Sequence, residues 1–404
     1  MTDNIKLTFI NLKSYLCGSV IRPAITLDKK IKDDMNRKIS VRKCSDYDLF
    51  ELYDLISDIY SHTDGPVVKG KRVLLKPNIL MDSDPSKCIC THPVVVEAMV
   101  RFLQGKGATV LIGDSPSIHL QKFRPEKSGI ESVCERTGAV WVDFRLNPAE
   151  LKLRNGKIRI ASVVNDVDLI FSLPKFKNHE LVYFTGAIKN SLGLVPGFTK
   201  GKQHALHQSR NSFGEFLVDL NEAVTPHYFL MDGIMGMEGP GPGGGLPKKI
   251  GLLMGSSNPL IMDITASRIA GYDPMVIPTN RIALFRKVWL DSETDIIYDG
   301  PDLDSILVKD FTKIPVSNTS NISLQFVMKR IKPLRKLERR PDFIHKKCTG
   351  CLKCVKICPA NAISHHPVKE NWIVLTDSKC IRCFCCSEVC TDSAVDIRVK
   401  VFGV

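Results

Sequence analysis

The chain has 404 residues, 14 of them cysteines, and carries a formal charge of +13 from 56 basic and 43 acidic side chains. That length suits two or three domains, and an apolar share of 44% is enough for a real core. No apolar run approaches the length of a membrane span, and Lys6 and Lys13 interrupt the N-terminal apolar residues too early for a secretory signal, so a cytoplasmic chain is expected. The positive charge comes with no nucleic-acid-binding motif and no aromatic–basic interleaving, which argues against nucleic acid. Anionic substrates or acidic partner proteins match the charge, as does a merely solvated basic surface.

Residues 1–38 carry no motif and read as an N-terminal extension. A regular pattern begins at Ile39 and predicts an α/β domain over 39–310. Ile39 to Cys44 alternates like a strand. Within Tyr47 to Ile59, Leu49, Leu52, Leu55, Ile56 and Ile59 recur at helical spacing. Gly65-Pro66 turns the chain. Arg72 to Leu75 is a short buried strand ending in Lys76-Pro77-Asn78. Thr91 is expected to cap a helix that opens with His92-Pro93 and runs to about Gly105, since proline suits a first helical turn. Ala108 to Ile112 is the next strand, followed by Gly113-Asp114-Ser115-Pro116. Ile130 to Thr137 is helical, Ala139 to Phe144 is a strand, and Asp168 to Ser172 is another. This alternation predicts a largely parallel sheet with flanking helices.

Ligands of such sheets bind beyond the carboxyl ends of the strands. Lys76-Pro77-Asn78, Gly113-Asp114-Ser115 and Leu173-Pro174-Lys175 sit there. The last opens the most polar-dense stretch outside the tail, with Lys175, Lys177, His179, Lys189 and Asn190 within sixteen residues. Three ammonium groups and an imidazole so close repel one another unless an anion neutralises them. Thr185-Gly186 is expected to start a helix carrying Lys189 and Asn190, whose N-terminal N–H groups would favour the same anion. An exposed basic loop is the bland alternative. Lys76, Asn78, Asp114, Lys175, Lys177, Thr185 and Asn190 are therefore candidate contacts to an anionic substrate. His179, Lys189 and Glu238 are the candidate catalytic groups, because imidazole, amine and carboxyl can move protons.

Asp232 and Glu238 are expected to flank a Gly/Met turn. Gly239-Pro240-Gly241-Pro242-Gly243-Gly244 formally matches a dinucleotide fingerprint, but two prolines remove donors and a strand, Ile250 to Met254, follows where a helix is needed. It reads as a flexible loop, a candidate lid. Cys88, Cys90 and His92 are one ligand short of a metal site, and Cys17, Cys44 and Cys134 read as ordinary thiols.

Several ordered motifs together carry a resemblance. They are Lys76-Pro77-Asn78, Thr91-His92-Pro93, Gly113-Asp114-Ser115-Pro116, the Lys175 to Gly197 run, Met231-Asp232-Gly233 to Gly239, Asn258-Pro259 to Asp263, and Gly271 to Pro274. The chain from Ile39 to the low 300s resembles the family called domain of unknown function 362, whose members often end in a ferredoxin-like module. Residues 1–38 and the Cys88/Cys90 pair lie outside the pattern.

Residues 311–344 read as a linker made basic by Lys332, Arg335, Lys336, Arg339 and Arg340, either a docking surface for an electron donor or a charged spacer. The tail, 345–404, carries Cys348, Cys351, Cys354 and Cys358, then Cys380, Cys383, Cys386 and Cys390, which is C-x2-C-x2-C-x3-C twice. Zinc also uses C-x2-C pairs, and disulfides belong to secreted chains, but three ligands at equal short intervals suit three irons of a cube. The spacing resembles the small α+β ferredoxin module with two [4Fe–4S] clusters, in which the fourth cysteine of each run serves the other cluster. That resemblance implies Cys348, Cys351, Cys354 and Cys390 for one cluster, and Cys380, Cys383, Cys386 and Cys358 for the other. Cys385 is spare.

An iron–sulfur oxidoreductase is the leading expectation, with the tethered ferredoxin passing electrons to an anionic substrate or cofactor in the α/β domain. A redox partner protein would supply or accept them. The alternative is a non-enzymatic electron carrier or assembly factor whose α/β domain binds a protein partner. No flavin or nicotinamide fingerprint identifies a further cofactor.

Overall fold

A computed structural model describes residues 37–116, 123–207, 209–316, 339–369 and 371–399. Residues 1–36 of the N-terminal extension, including Cys17, and the linker residues Lys332, Arg335 and Lys336 lie outside them, while Lys38, expected in the extension, opens the first strand.

The first strand, β1 (Lys38–Lys43), leads into a helix over Leu49–His62. Asp48 caps that helix by accepting from the Phe50 and Glu51 amides. Next come β2 (Arg72–Pro77), the helix Pro93–Gly105, β3 (Thr109–Asp114), the helix Ile130–Thr137 and β4 (Val140–Asp143). A hairpin of β5 (Ala149–Leu153) and β6 (Gly156–Ile160) precedes β7 (Leu169–Leu173), β8 (Lys175–His179) and β9 (Tyr183–Thr185). Helices over Ala187–Asn190, Gly197–Leu206 and Arg210–Val224 are followed by β10 (Tyr228–Glu238) and β11 (Leu246–Ser256). The helices Pro259–Ile269 and Pro278–Phe285 and strand β12 (Ile297–Asp299) complete the α/β part.

Eight strands form the main path of one sheet in the order β12-β1-β11-β10-β7-β2-β3-β4, with β8 and β9 attached through β10. From β10 to β4 every pair is parallel. Strands β1 and β10 run antiparallel to β11, so the sheet is mostly parallel but mixed. Alternate side chains serve opposite layers. Val73 and Leu75 pack with Leu52, Ile56, Val96 and Met99 of two helices on one face. On the other, Leu74 joins Leu111 and Ile170, and Phe229 and Met231 pack against Phe213, Leu217 and Leu260.

Some local expectations change. His92, not Thr91, caps the helix from Pro93, accepting from the Val94 amide. Thr91 instead ties two segments, donating to Leu173 O at 2.6 Å and accepting from Asn78 N at 2.8 Å. Asp232 and Glu238 flank no turn. Both lie in the eleven-residue β10, which bulges between Gly233 and Met235.

The tail is a small α+β unit. Strand β13 (Arg339–Phe343) pairs with β16 (Val395–Val399), and β14 (Ile363–His365) with β15 (Ile373–Leu375). Arg339 and Arg340, expected in the linker, thus belong to a strand of this unit. Two short helices, Lys353–Ile357 and Cys385–Glu388, each follow a residue in the left-handed region, Leu352 at φ 56° and Phe384 at φ 60°. The two cysteine runs therefore repeat one local conformation.

Candidate functional site

The site grows from the carboxyl ends of β2, β3 and β7 and from β8. In β8 the basic residues alternate with Phe176 and Asn178, so Lys175, Lys177 and His179 fall on one face of the strand. All three are buried. A buried ammonium needs a counter-charge or hydrogen bonds, and each finds a different one.

Lys175 Nζ lies 2.7 Å from Asp232 Oδ2, both side chains being fully inaccessible. The Tyr47 hydroxyl accepts from Lys175 at 3.1 Å and donates to Asp232 Oδ1 at 3.0 Å. His92 stacks on Tyr47 with 3.5 Å between ring centres. Lys177 has no carboxylate partner among the described residues. It donates to Asn78 Oδ1 at 2.7 Å and Ile89 O at 2.8 Å. Burial, reinforced by Lys189, pushes its pKa down to about 7. Lys76 pairs with Asp114 at 3.3 Å and donates to Asn190 Oδ1 at 3.2 Å.

His179 accepts at Nδ1 from the Leu181 and Val182 amides at 3.1 and 3.3 Å, which puts its proton on Nε2. Nε2 lies 2.9 Å from Glu388 Oε1. Burial pushes the imidazole down to about 3, so it is neutral. Burial opposes ionisation of Glu388 as well, but His204, His179 and Lys189 together hold its carboxylate well below the usual range. His204 Nε2 is 3.9 Å from the other carboxylate oxygen. Lys200, four residues before His204 on the helix Gly197–Leu206, donates to Ser115 O, and burial pushes it down to about 7.

Part of the anion that the sequence seemed to require is thus in the chain itself, as Asp232, Asp114 and Glu388. The helix Ala187–Asn190 offers no free N-terminus either, because the Asp263 carboxylate accepts from the Ala187 and Ile188 amides. Burial raises Asp263 to about 7 despite those bonds. The satisfaction is incomplete at one place. His179 Nε2, Thr185 Oγ1, His204 Nδ1 and Glu388 Oε1 are buried with no aligned hydrogen-bond partner among the described residues. Lys189 is lowered by burial, with Glu388 as its main offset.

Glu238 is not brought to this cluster. Its carboxylate accepts from the Thr312 amide at 2.7 Å. Nor do Cys88, Cys90 and His92 converge, since the two thiols donate to Ser86 O and Met81 O.

Glu388 belongs to the tail, midway between Cys386 and Cys390. Phe384 and Val389 beside it are buried in the two main apolar clusters of the α/β part. Ser393 Oγ donates to Gly244 O at 2.6 Å, and a Cβ on Gly243 would overlap Glu388 O. The glycine–proline loop therefore does not hang free as a lid; it seats the tail.

Cys358, Cys380, Cys383, Cys386 and the spare Cys385 line one cavity of the tail, and Cys348, Cys351, Cys354 and Cys390 line another. A [4Fe–4S] cube takes each thiolate on a different iron, so its ligands surround a volume. Among the described residues no three His, Cys, Asp or Glu side chains close on one metal ion. The donor set, five soft thiols around the first cavity and four around the second, fits a cluster in each.

Sequence reasoning missed Glu388, His204, Lys200 and Asp263. Lys200 and His204 offered a signal, two basic groups four apart on one helix face. Glu388 offered a fainter one, an acid at the position where the first cysteine run has Lys356.

Residues 73–268 match the family described as domain of unknown function (DUF362), and residues 341–391 match the 4Fe-4S dicluster domain. A thylakoid-associated protein of Synechocystis is 34% identical over 215 residues, 53% of this chain and 67% of that one. Two solved structures overlap the chain in part. The lactate racemase apoprotein of Thermoanaerobacterium thermosaccharolyticum has a TM-score of 0.41 at 12% identity, over 57% of this chain and 56% of its own. A Thermotoga maritima protein has a TM-score of 0.33 at 13% identity, over 48% and 52%. The chain thus spans about half the length of these two solved chains. Among the described residues no helix is long and apolar enough to cross a membrane.

Proposed function

The chain belongs to the family of domain of unknown function 362 and carries a 4Fe-4S dicluster domain with an electron-transfer role, and from that premise we propose that it is an iron–sulfur oxidoreductase acting on a small anionic substrate. One observation carries this reading: Glu388, between two cluster cysteines, reaches the buried His179–Lys189–His204 site.

We assign Cys348, Cys351, Cys354 and Cys390 to one [4Fe–4S] cluster and Cys380, Cys383, Cys386 and Cys358 to the second. When bound, these clusters supply one-electron transfer. The rest falls to side chains. Lys189 holds an anionic oxygen of the substrate, and Thr185 and His204 complete its hydrogen bonds with the donors they leave unused. Lys177 and Lys200, lowered to about 7, carry a proton that can be given up at neutral pH. Phe384 and the close-packed Gly243 loop exclude water between the tail and the site. A cytoplasmic location suits such clusters, and thylakoid association of the kind the Synechocystis relative is named for needs no membrane span.

A second reading, a non-enzymatic electron carrier or assembly factor, is favoured by the carboxylates of Asp232, Asp114 and Glu388 already lying in the basic site. Anaerobic reoxidation separates the two. Protein with reduced clusters is mixed with a panel of small carboxylates and phosphate esters. The oxidoreductase reading expects at least one to reoxidise the clusters, and Lys189→Met to remove that reaction without changing iron content. Reoxidation indifferent to Lys189→Met, or absent throughout the panel, favours the carrier.

A further inference from the structure

The two cysteine runs repeat one conformation, yet they face different surroundings. In the second run Phe384, Cys385 and Glu388 are all buried, Phe384 in the α/β core and Glu388 against His179. The matching positions of the first run are Leu352, Lys353 and Lys356. Lys356 is exposed and Leu352 and Lys353 are half-buried. Cys351 is the one exposed thiol among the eight cluster cysteines, whereas Cys383 and Cys386 are buried. Lys346 and Lys347, both exposed, precede this run. The same face of the motif is covered at the second cavity and open and basic at the first.

We propose that this open face, centred on Leu352 and ringed by Lys346, Lys347, Lys353 and Lys356, is the docking surface for an acidic one-electron carrier protein. Charge complementarity selects an acidic partner. Lys353 lines the cavity and the exposed Lys346, Lys347 and Lys356 flank its cysteines in the chain, against Asp392, which lines the same cavity and already accepts from Thr349 Oγ1 at 3.1 Å. Asp342 nearby is 3.9 Å from Arg398. A basic rim around an apolar centre steers an acidic protein and places its cofactor against the exposed Cys351 edge. The step is one electron: the carrier's cofactor loses it, the first cluster gains it, and no bond or proton moves. The partner is thereby placed at the outer cavity, and the α/β site at the inner one. This proposal rests on the electron-transfer role of the tail and is independent of the substrate site.

The test uses the full chain with reconstituted clusters and a reduced flavodoxin of net negative charge. Cluster reduction is followed by stopped-flow absorbance, and binding of the oxidised flavodoxin by titration calorimetry. The triple variant Lys346→Glu, Lys347→Glu, Lys356→Glu is compared with an equal charge change elsewhere, Lys43→Glu, Lys69→Glu, Lys106→Glu. The proposal expects the first triple variant to lose at least tenfold in flavodoxin rate and affinity, and to lose the salt dependence. Reduction by dithionite, normalised to iron content, should stay within twofold. Lys356→Glu alone, a single exposed change, should lower the flavodoxin rate in the same sense. Unchanged flavodoxin kinetics in the first triple variant, or an equal loss in the second, overturns it.

Discussion

Glu388 of the ferredoxin unit lies 2.9 Å from His179 Nε2 of the α/β domain, and both side chains are buried. The residues are more than two hundred positions apart, yet this contact ties the short helix Cys385–Glu388 to the basic strand β8. Removing Glu388 leaves the buried Lys189 without its main counter-charge. Glu388→Ala should therefore cost about 3–5 kcal/mol, measured as a lower urea midpoint for the α/β transition. Glu388→Gln keeps the volume and should lose less.

Docking also has an apolar part. Phe384 fills the core of the α/β domain from the tail. Phe384→Ala should lose about 3–5 kcal/mol of that attachment. Gly243→Ala attacks the same interface from the other side by pressing a methyl group on Glu388 O. Both variants should keep full iron content while limited proteolysis releases the tail faster than from the parent chain. Loss of iron in step with release would show that the docked position itself holds the clusters.

The buried Asp263 gives the fold a pH signature. Its carboxyl is raised from its ordinary 3.8 to about 7, so between those values the folded chain binds more protons than the unfolded one. Stability from this group is full below about 4 and is lost as pH rises through about 7, with a slope of up to roughly 1.4 kcal/mol per pH unit. Asp263→Asn cannot titrate. Unfolding measured from pH 4 to 8 should show that part of the slope flattened in the variant.

Lys177 and Lys200 place a complementary limit on the chemistry. Each is charged below about 7 and neutral above it. If they supply the proton in the reduction, the rate of substrate-dependent cluster reoxidation should fall as pH rises through about 7. Lys177→Met should lower the rate below pH 7 and remove part of that dependence. A flat profile in the parent chain would assign the proton to another group.

Much of the architecture was legible because it is local. The cysteine spacings describe which thiols a single loop can offer, and the β–α alternation from Arg72 to Asp143 appears within a residue or two of expectation. The direction of β1 and β11 was not legible, since alternation at Ile39 to Cys44 reads the same in either orientation. Thr91 and His92 both suit a helix cap, and only the tertiary pull of Leu173 O and Asn78 N on Thr91 decides between them. In the site, the row of Lys175, Lys177 and His179 follows from strand periodicity, but their counter-charges do not. Asp232 and Glu388 arrive from distant segments, and nothing near Glu388 in the chain marks it as a partner of His179.

Under the proposed ligand assignment, one cluster and not the other borders the His179–Lys189 site. Potentiometric titration monitored by electron paramagnetic resonance tests it directly, because a nearby charge shifts a cluster's potential and a distant, screened one does not. Glu388→Gln should raise the potential of a single reduction step by tens of millivolts, Lys189→Met should lower that same step, and the other step should stay in place. Two steps that both stay fixed, or that move together by equal amounts, would contradict the account.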